Sequence, residues 1–159
     1  KVVVTFVIDG GGWNVLLQWP DRWPNLKRLM GNGANHRNAI VGSFPAVTAC
    51  AHATIGTGTY PNQHGITGHN IRDGSKVRKA YGEAGHANPG DILIPTLADL
   101  WSDATDNRAW VGQIGYQVWH MGMIGHGGRS RPPDALPVGV FWDEWRMRIA
   151  LLEVEQDRR

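Results

Sequence analysis

The sequence has little of several features that would place a protein in a class. It contains one cysteine, Cys50, which excludes an internal disulfide framework and leaves the compartment open. Its longest apolar run, Val2 to Ile8, is far shorter than the ~20 residues that cross a bilayer, so no membrane span is expected. A formal net charge of +2 gives no reason to expect a nucleic-acid polymer as partner.

Glycine and tryptophan are abundant, with 21 and 8 residues respectively, which indicates a loop-rich protein with large apolar anchors. A chain of 159 residues can form one domain with a real core and is too short for two ordinary ones, so residues 1–159 are predicted to form a single domain. The sequence starts without methionine and ends in a charged helical pattern with no stop signal. We therefore interpret it as a processed form, an engineered piece or a fragment of a longer protein.

The first half of the chain alternates between strand and helix patterns. The β-branched run Val2 to Ile8 predicts a strand that is buried on both faces. Pro24 to Met30 predicts a helix, Ala34 to Val41 predicts a second strand, and a helix of small residues follows Pro45. This order predicts an α/β fold with a mostly parallel sheet and helices on both faces.

The second half gives weaker signals. Residues 72 to 90 are polar and glycine-rich and predict an excursion above the sheet. Pro95 to Thr105 predicts a short helix, and Arg108 to Ile114 is a candidate third strand. Tyr116 to Pro133 is predicted to be irregular, and Val138 to Glu155 carries the longest helical pattern.

Two side chains lie where these elements would bind a ligand. Asp9 follows the first predicted strand and precedes Gly10, and this edge of an open α/β sheet is where ligands bind. An Asp-Gly pair is equally typical of an ordinary turn. Thr48 lies at or just inside a helix N-terminus, where unpaired N–H groups and the helix dipole favour an anion. A threonine there can also be a simple N-cap, worth about 1 kcal/mol.

Two segments of the sequence, Val2 to Gly10 and Phe44 to His69, carry a family pattern in a fixed order. They resemble the opening strand and the nucleophile segment of the alkaline phosphatase superfamily, nearest to the type I phosphodiesterase/nucleotide pyrophosphatase branch and its threonine-using alkaline phosphatase relatives. The matching positions of the second segment are Phe44-Pro45, Thr48, His52 to Ile55, Thr57-Gly58, Tyr60-Pro61 and His64 to Ile66.

The resemblance implies an alkaline phosphatase-like core, of which the chain is the N-terminal part. It implies that Thr48 is the metal-activated nucleophile and that Asp9 binds one of two divalent metal ions, zinc or alternatively manganese. The N–H group of Ala49 would face the phosphoryl oxygens, and His69 or Asn70, or neither, would assist it. The substrate would be a phosphate ester or a nucleotide.

The sequence also departs from the family's pattern. Relatives complete the metal site with Asp-x-x-x-His, then with an adjacent Asp-His pair and a further histidine, and no aspartate of this chain fits these patterns. The remaining ligands are therefore expected outside this sequence. His52 and His64 are expected to be buried scaffold residues, and Cys50, which lacks the flanking sulfatase pattern, a small buried residue.

The resemblance thus implies a metal-dependent phosphoester hydrolase that acts through a phosphothreonine and is incomplete in this chain. We expect the chain alone to be inactive and to self-associate through an exposed sheet edge. One alternative is a phosphotransferase or mutase of the same superfamily, although those usually use serine as nucleophile. The other is a binding or scaffold module that has kept the fold without the chemistry.

Overall fold

The structure is a computed structural model that describes residues 2–80, 91–106, 108, 111–115, 118–124, 138–143 and 146–151. Its regular elements, in chain order, are α1 (Trp13–Gln18), a 3-10 helix (Pro20–Arg22), α2 (Pro24–Asn32), α3 (Thr48–Thr57), α4 (Pro61–His64), β1 (Asn70–Asp73), β2 (Lys76–Lys79), α5 (Leu97–Ala104), β3 (Gly112–Gly115), α6 (Val118–Ile124), β4 (Val138–Asp143) and β5 (Arg146–Leu151). Contacts divide the chain into two units, residues 1–40 and 41–159.

Tryptophan rings hold the helices of the first unit together. Trp13 and Trp23 pack edge to face with their ring centroids 5.9 Å apart. The indole Nε1 of Trp23 donates a hydrogen bond to the carbonyl oxygen of Leu16 at 2.9 Å, which ties α2 back to α1. The predicted helix at Pro24 is confirmed, with the proline at its start, where the missing N–H group costs nothing.

The two predicted strands of the first half are not formed. Val2 to Ile8 is irregular, and its side chains are mostly exposed, with Val2, Val4 and Phe6 at 88%, 79% and 80%. No described segment pairs with it, and without a hydrogen-bonded neighbour a β-branched run cannot become a strand. The Ala34 to Val41 segment is also irregular and turns at residues 37–38, within its most polar part.

The core of the second unit surrounds α3. The buried apolar side chains of this core are Ala49, Ala53, Ile66, Ala80, Ile92 and Met123. Helices α4, α5 and α6 all contact α3, and its small residues permit this close approach. A Cβ atom added at Gly56 would lie 1.9 Å from the carbonyl oxygen of Ile124, so the backbones of α3 and α6 touch there. Gly58 ends α3 in the left-handed conformation at φ 70°.

An ion-pair cluster fixes the hairpin of β1 and β2, which pair antiparallel. The guanidinium group of Arg78 donates two hydrogen bonds to the buried carboxylate of Asp91, at 2.6 and 2.9 Å, and a third to Asp73 at 3.1 Å. These hydrogen bonds, with those of Asp91 contributing more than that of Asp73, raise the pKa of Arg78 above its ordinary value. The hairpin is thereby joined to the chain that leads into α5.

Helix α5 confirms the prediction for Pro95 to Thr105 through its cap. In a capping box, the Thr96 hydroxyl oxygen accepts a hydrogen bond from the backbone N–H group of Asp99, and the Asp99 carboxylate accepts one from the backbone N–H group of Thr96. Both residues are buried, so the cap also anchors the start of the helix in the protein interior.

The second sheet has the order β3-β4-β5, with β3 and β4 parallel and β4 and β5 antiparallel. The prediction of a mostly parallel sheet is therefore not confirmed, although helices with small sheets fit an α/β fragment. The helix predicted over Val138 to Glu155 is wrong where the structure describes it, because β4 and β5 form a hairpin there. Val138, Val140 and the aromatic residues that follow are strand formers, and they outweigh the helical spacing. Helix α6 likewise replaces part of the segment predicted to be irregular.

Candidate active site

Helix α3 places Thr48 at its first position. The residue before it, Val47, is the N-cap, with φ −111° and ψ 156°, and it makes no side-chain capping bond. The alternative that Thr48 is itself the N-cap is therefore wrong. Thr48 is half-buried, whereas the next two residues, Ala49 and Cys50, are fully buried. The first N–H groups of a helix have no partner within the helix, so this end of α3 is electropositive.

His52 lies one turn after Thr48 and bonds back to it. The Nδ1 atom of His52 is 2.9 Å from the carbonyl oxygen of Thr48. Because a carbonyl oxygen only accepts, Nδ1 carries the proton and donates. The His52 side chain is buried, and its ring stacks on that of His120 from α6, with the centroids 5.6 Å apart and the planes 20° from parallel.

His64 is in the other neutral tautomer from that of His52. Its Nδ1 atom accepts a hydrogen bond from the backbone N–H group of Ile66 at 3.1 Å, so its Nε2 atom carries the proton and donates to the Thr54 hydroxyl, also at 3.1 Å. Burial lowers the pKa of His64 below its ordinary value, the opposing effect of a backbone hydrogen bond being smaller. His64 is a neutral scaffold residue that joins α3 to α4, in agreement with the sequence-based interpretation.

Cys50 is a packing residue. It is fully buried two residues after Thr48 in α3, and burial raises the pKa of its thiol, with a backbone hydrogen bond having a smaller, opposite effect. A thiol held in its neutral form is a poor nucleophile. The structure therefore agrees with the interpretation of Cys50 as a small buried residue.

The candidate substrate-binding residues His69 and Asn70 are exposed at the start of the hairpin. The carbonyl oxygen of His69 accepts a hydrogen bond from the N–H group of Ala80 at 2.9 Å. Asn70 is the first residue of β1. Both residues belong to the same unit as Thr48. That His69 or Asn70 contacts a phosphoryl oxygen, or that neither does, remains untested, so their role stays a prediction.

Asp9 lies in the first unit, exposed, in a turn that includes Gly10 at φ 69°. The turn is closed by the N–H group of Gly11, which donates to the carbonyl oxygen of Ile8 at 3.1 Å. The turn that the sequence left as an alternative is thus formed, and the metal-binding role of Asp9 remains a prediction. Within the part of the chain that the structure describes, no three His, Cys, Asp or Glu side chains cluster to hold a metal ion.

Sequence reasoning missed the contact between His52 and His120. It treated His52 as a scaffold residue, although its place in the matched segment was one available signal. His120 stands in a segment predicted to be irregular, and nothing in the sequence indicates which helix that segment contacts. His126, Arg129 and Arg131 of the same segment lie outside the described residues.

The chain matches the model of a family of phosphoester hydrolases. Residues 3–126 match the family described as type I phosphodiesterase / nucleotide pyrophosphatase, and the chain belongs to this family. The resemblance that the two sequence segments indicated is confirmed.

Curated relatives include phosphatases and phosphodiesterases. Alkaline phosphatase PhoV of Synechococcus elongatus is 31% identical over an alignment that covers 89% of this chain and 27% of PhoV. Alkaline phosphatase PafA of Elizabethkingia meningoseptica is 25% identical over 89% of this chain and 28% of PafA. Ectonucleotide pyrophosphatase/phosphodiesterase family member 3 of Bos taurus is 35% identical over 88% of this chain and 13% of that protein.

The chain thus spans about a quarter of the two bacterial phosphatases and a smaller share of the bovine protein. No solved structure matches it. Among the described residues, no helix has the length and apolar character needed to cross a membrane.

Proposed function

We propose that this chain carries the nucleophile and part of the metal site of a phosphoester hydrolase that works through a phosphothreonine at Thr48. The observation that carries the proposal is the place of Thr48, half-buried at the first position of α3, within the matched family segment. The helix start there offers N–H groups to an anion. Phosphate esters and nucleotides are the substrates that the names of the relatives suggest.

The proposed reaction has two steps. In the first, the Thr48 oxygen attacks phosphorus, the bond to the leaving alcohol breaks, and the alcohol takes a proton. In the second, water attacks the phosphothreonine in line, releases phosphate or a phosphomonoester, and restores the hydroxyl group. Backbone N–H groups at the start of α3, Ala49 above all, face the oxygens on which negative charge is held. His69 or Asn70 supplies a further contact to these oxygens.

The metal requirement is part of the proposal. Families of this kind are generally metal-dependent, and zinc, or alternatively manganese, suits carboxylate and imidazole ligands. When bound, the metal would lower the pKa of the nucleophile. Asp9 and Thr48 offer one ligand each, whereas a zinc ion takes about four, so the described residues do not make a complete site. We therefore propose that the chain alone does not turn over substrate.

Two rival functions make different predictions. A phosphotransferase or mutase would pass the phosphoryl group to a second alcohol or within one substrate and would release little free phosphate. A scaffold module would bind no stoichiometric metal and form no phosphoprotein. Zinc content, measured by elemental analysis of the full-length protein, separates the scaffold from both enzymes.

The proposal is tested by substitution of Thr48 in the full-length protein loaded with zinc. Thr48→Ala should abolish the hydrolysis of nitrophenyl phosphate monoesters and diesters, because no hydroxyl remains to attack. Thr48→Ser should keep measurable turnover. The matched control is Cys50→Ala, two residues further along α3, which should change activity far less because it alters packing only. Near-full turnover by Thr48→Ala would reject Thr48 as the nucleophile.

A further inference from the structure

We propose that His52 is a positioning residue for the nucleophile, holding the peptide group between Thr48 and Ala49 in the orientation that the reaction needs. The inference rests on the proposed function, since it assigns His52 a part in the attack by Thr48. It goes beyond the scaffold role that the sequence suggested, because it connects the imidazole to the two groups that would meet the phosphoryl group.

Two contacts on different parts of the ring hold the imidazole of His52. Its Nδ1–H group donates to the Thr48 carbonyl oxygen at 2.9 Å, and one face of the ring stacks on His120. With 5% of its surface exposed, the side chain has little space in which to rotate. The stack exists because Gly56 lets α3 and α6 meet at backbone distance. The position of the ring is therefore set by both helices.

The hydrogen bond acts on Ala49 as well as on Thr48. The carbonyl group of Thr48 and the N–H group of Ala49 belong to one planar peptide unit and point in opposite directions. Fixing the carbonyl oxygen toward His52 therefore fixes the N–H group of Ala49 away from it, toward the start of the helix. That N–H group is the proposed donor to the phosphoryl oxygens.

The hydrogen bond from His52 restrains the first turn of α3, which is the least stable part of the helix. First turns fray, and the preceding residue Val47 contributes no side-chain cap. A bond that holds the first peptide unit of α3 narrows the directions open to the Thr48 side chain. Errors of about 1 Å in such placement cost about 100-fold in rate. His52 therefore acts on the rate of attack more than on the binding of substrate.

Two substitutions in the zinc-loaded full-length protein separate positioning from packing. His52→Phe keeps a flat ring for the stack and removes the donor, whereas His52→Asn keeps an amide N–H group near the place of Nδ1. We expect His52→Phe to slow the formation of phosphothreonine at least tenfold per folded molecule, with KM changed less than twofold. His52→Asn should stay within threefold of the unaltered enzyme. Thermal unfolding gives the folded fraction of each variant.

A residue that serves packing alone would leave the rate of Thr48 phosphorylation unchanged in His52→Phe, or lower it equally in both variants, and either result overturns the proposal. If phosphothreonine still forms at position 48 in that case, only the role of His52 fails. If the unaltered protein forms none there, the proposed function fails with it.

A second measurement does not depend on whether either variant folds. Nitrogen-15 spectra of the histidine side chains in the unaltered protein should show His52 protonated at Nδ1 and His64 protonated at Nε2, because their Nδ1 atoms donate and accept respectively. A His52 ring with an unprotonated Nδ1 atom could not bind the Thr48 carbonyl oxygen, and the inference would be withdrawn.

Discussion

Replacing Gly56 by alanine tests the packing that holds the candidate site together. The new Cβ atom would lie 1.9 Å from the carbonyl oxygen of Ile124, closer than the 3.0 Å below which real Cβ atoms essentially never occur. One of the two helices must therefore move by about 1 Å. Neither atom can rotate away, because the backbone fixes the position of a Cβ atom and the Ile124 oxygen is itself a backbone atom.

The magnitude follows from two opposing effects. Overpacking of this kind costs about 1–3 kcal/mol, and the rigid contact places Gly56→Ala near the upper end of that range. The higher helix propensity of alanine offsets up to about 1 kcal/mol of this loss in the free energy of unfolding. The net loss should be about 2 kcal/mol, which for a protein of this size corresponds to a fall of about 4–8 °C in Tm.

The assay is thermal and urea unfolding of Gly56→Ala beside a matched control. Gly31 also lies in a helix, and a Cβ atom added there would meet nothing within 4 Å. Gly31→Ala should therefore be neutral or stabilising by up to about 1 kcal/mol. If Gly56→Ala proved as stable as Gly31→Ala, the close contact of α3 with α6, and the His52–His120 stack that depends on it, would be wrong.

Three further predictions concern the metal, the pH dependence and the isolated chain. Asp9→Asn in the full-length protein should lower bound zinc and activity together. The control Asp21→Asn, at an exposed carboxylate of the same unit, should change neither. Unchanged zinc content in Asp9→Asn would count against Asp9 as a metal ligand. Because burial lowers the pKa of His64, the unfolded chain binds its proton first as the pH falls below the ordinary value of 6.5. Stability should therefore decline from that pH toward the lowered pKa of the folded state, and His64→Gln should flatten this slope in urea unfolding; an equal slope in both proteins would argue against the assignment. Residues 1–159 alone, incubated with zinc or manganese, should hydrolyse neither nitrophenyl monoester nor diester, and turnover that Thr48→Ala removes would show that the site is more complete than we propose.

The helices that sequence predicted correctly carry their own signals. Pro24 starts α2, Gly58 ends α3 in the left-handed conformation, and the side chains of Thr96 and Asp99 cap α5. Each signal acts within one turn of the helix, so it can be read from neighbouring residues alone.

The two strand predictions of the first half failed because a strand depends on a partner elsewhere, whereas the candidate over Arg108 to Ile114 overlaps β3. Val2 to Ile8 has the composition of a buried strand, yet no described segment pairs with it. Over Val138 to Glu155, apolar spacing favoured a helix while the residue types favoured strands, and the residue types were the better guide.

In the candidate site, too, the local features were predictable from the sequence and the long-range contacts were not. The position of Thr48 at a helix start was predictable from Pro45 and the small residues that follow. Its bond to His52 could be considered only once the helix was in place, and the stack on His120 depends on how α3 and α6 pack. Contacts between helices distant in sequence are set by packing, which a single sequence does not display.

The most direct test of the account is to locate the covalent intermediate. The zinc-loaded full-length protein would be mixed with a phosphate ester, quenched in acid during turnover, digested, and its phosphopeptides sequenced by mass spectrometry. We predict phosphate on Thr48, absent from Thr48→Ala and accumulating more slowly in His52→Phe. Phosphate on another residue, or rapid turnover with no phosphopeptide at any time, would contradict the assignment of Thr48 as the nucleophile.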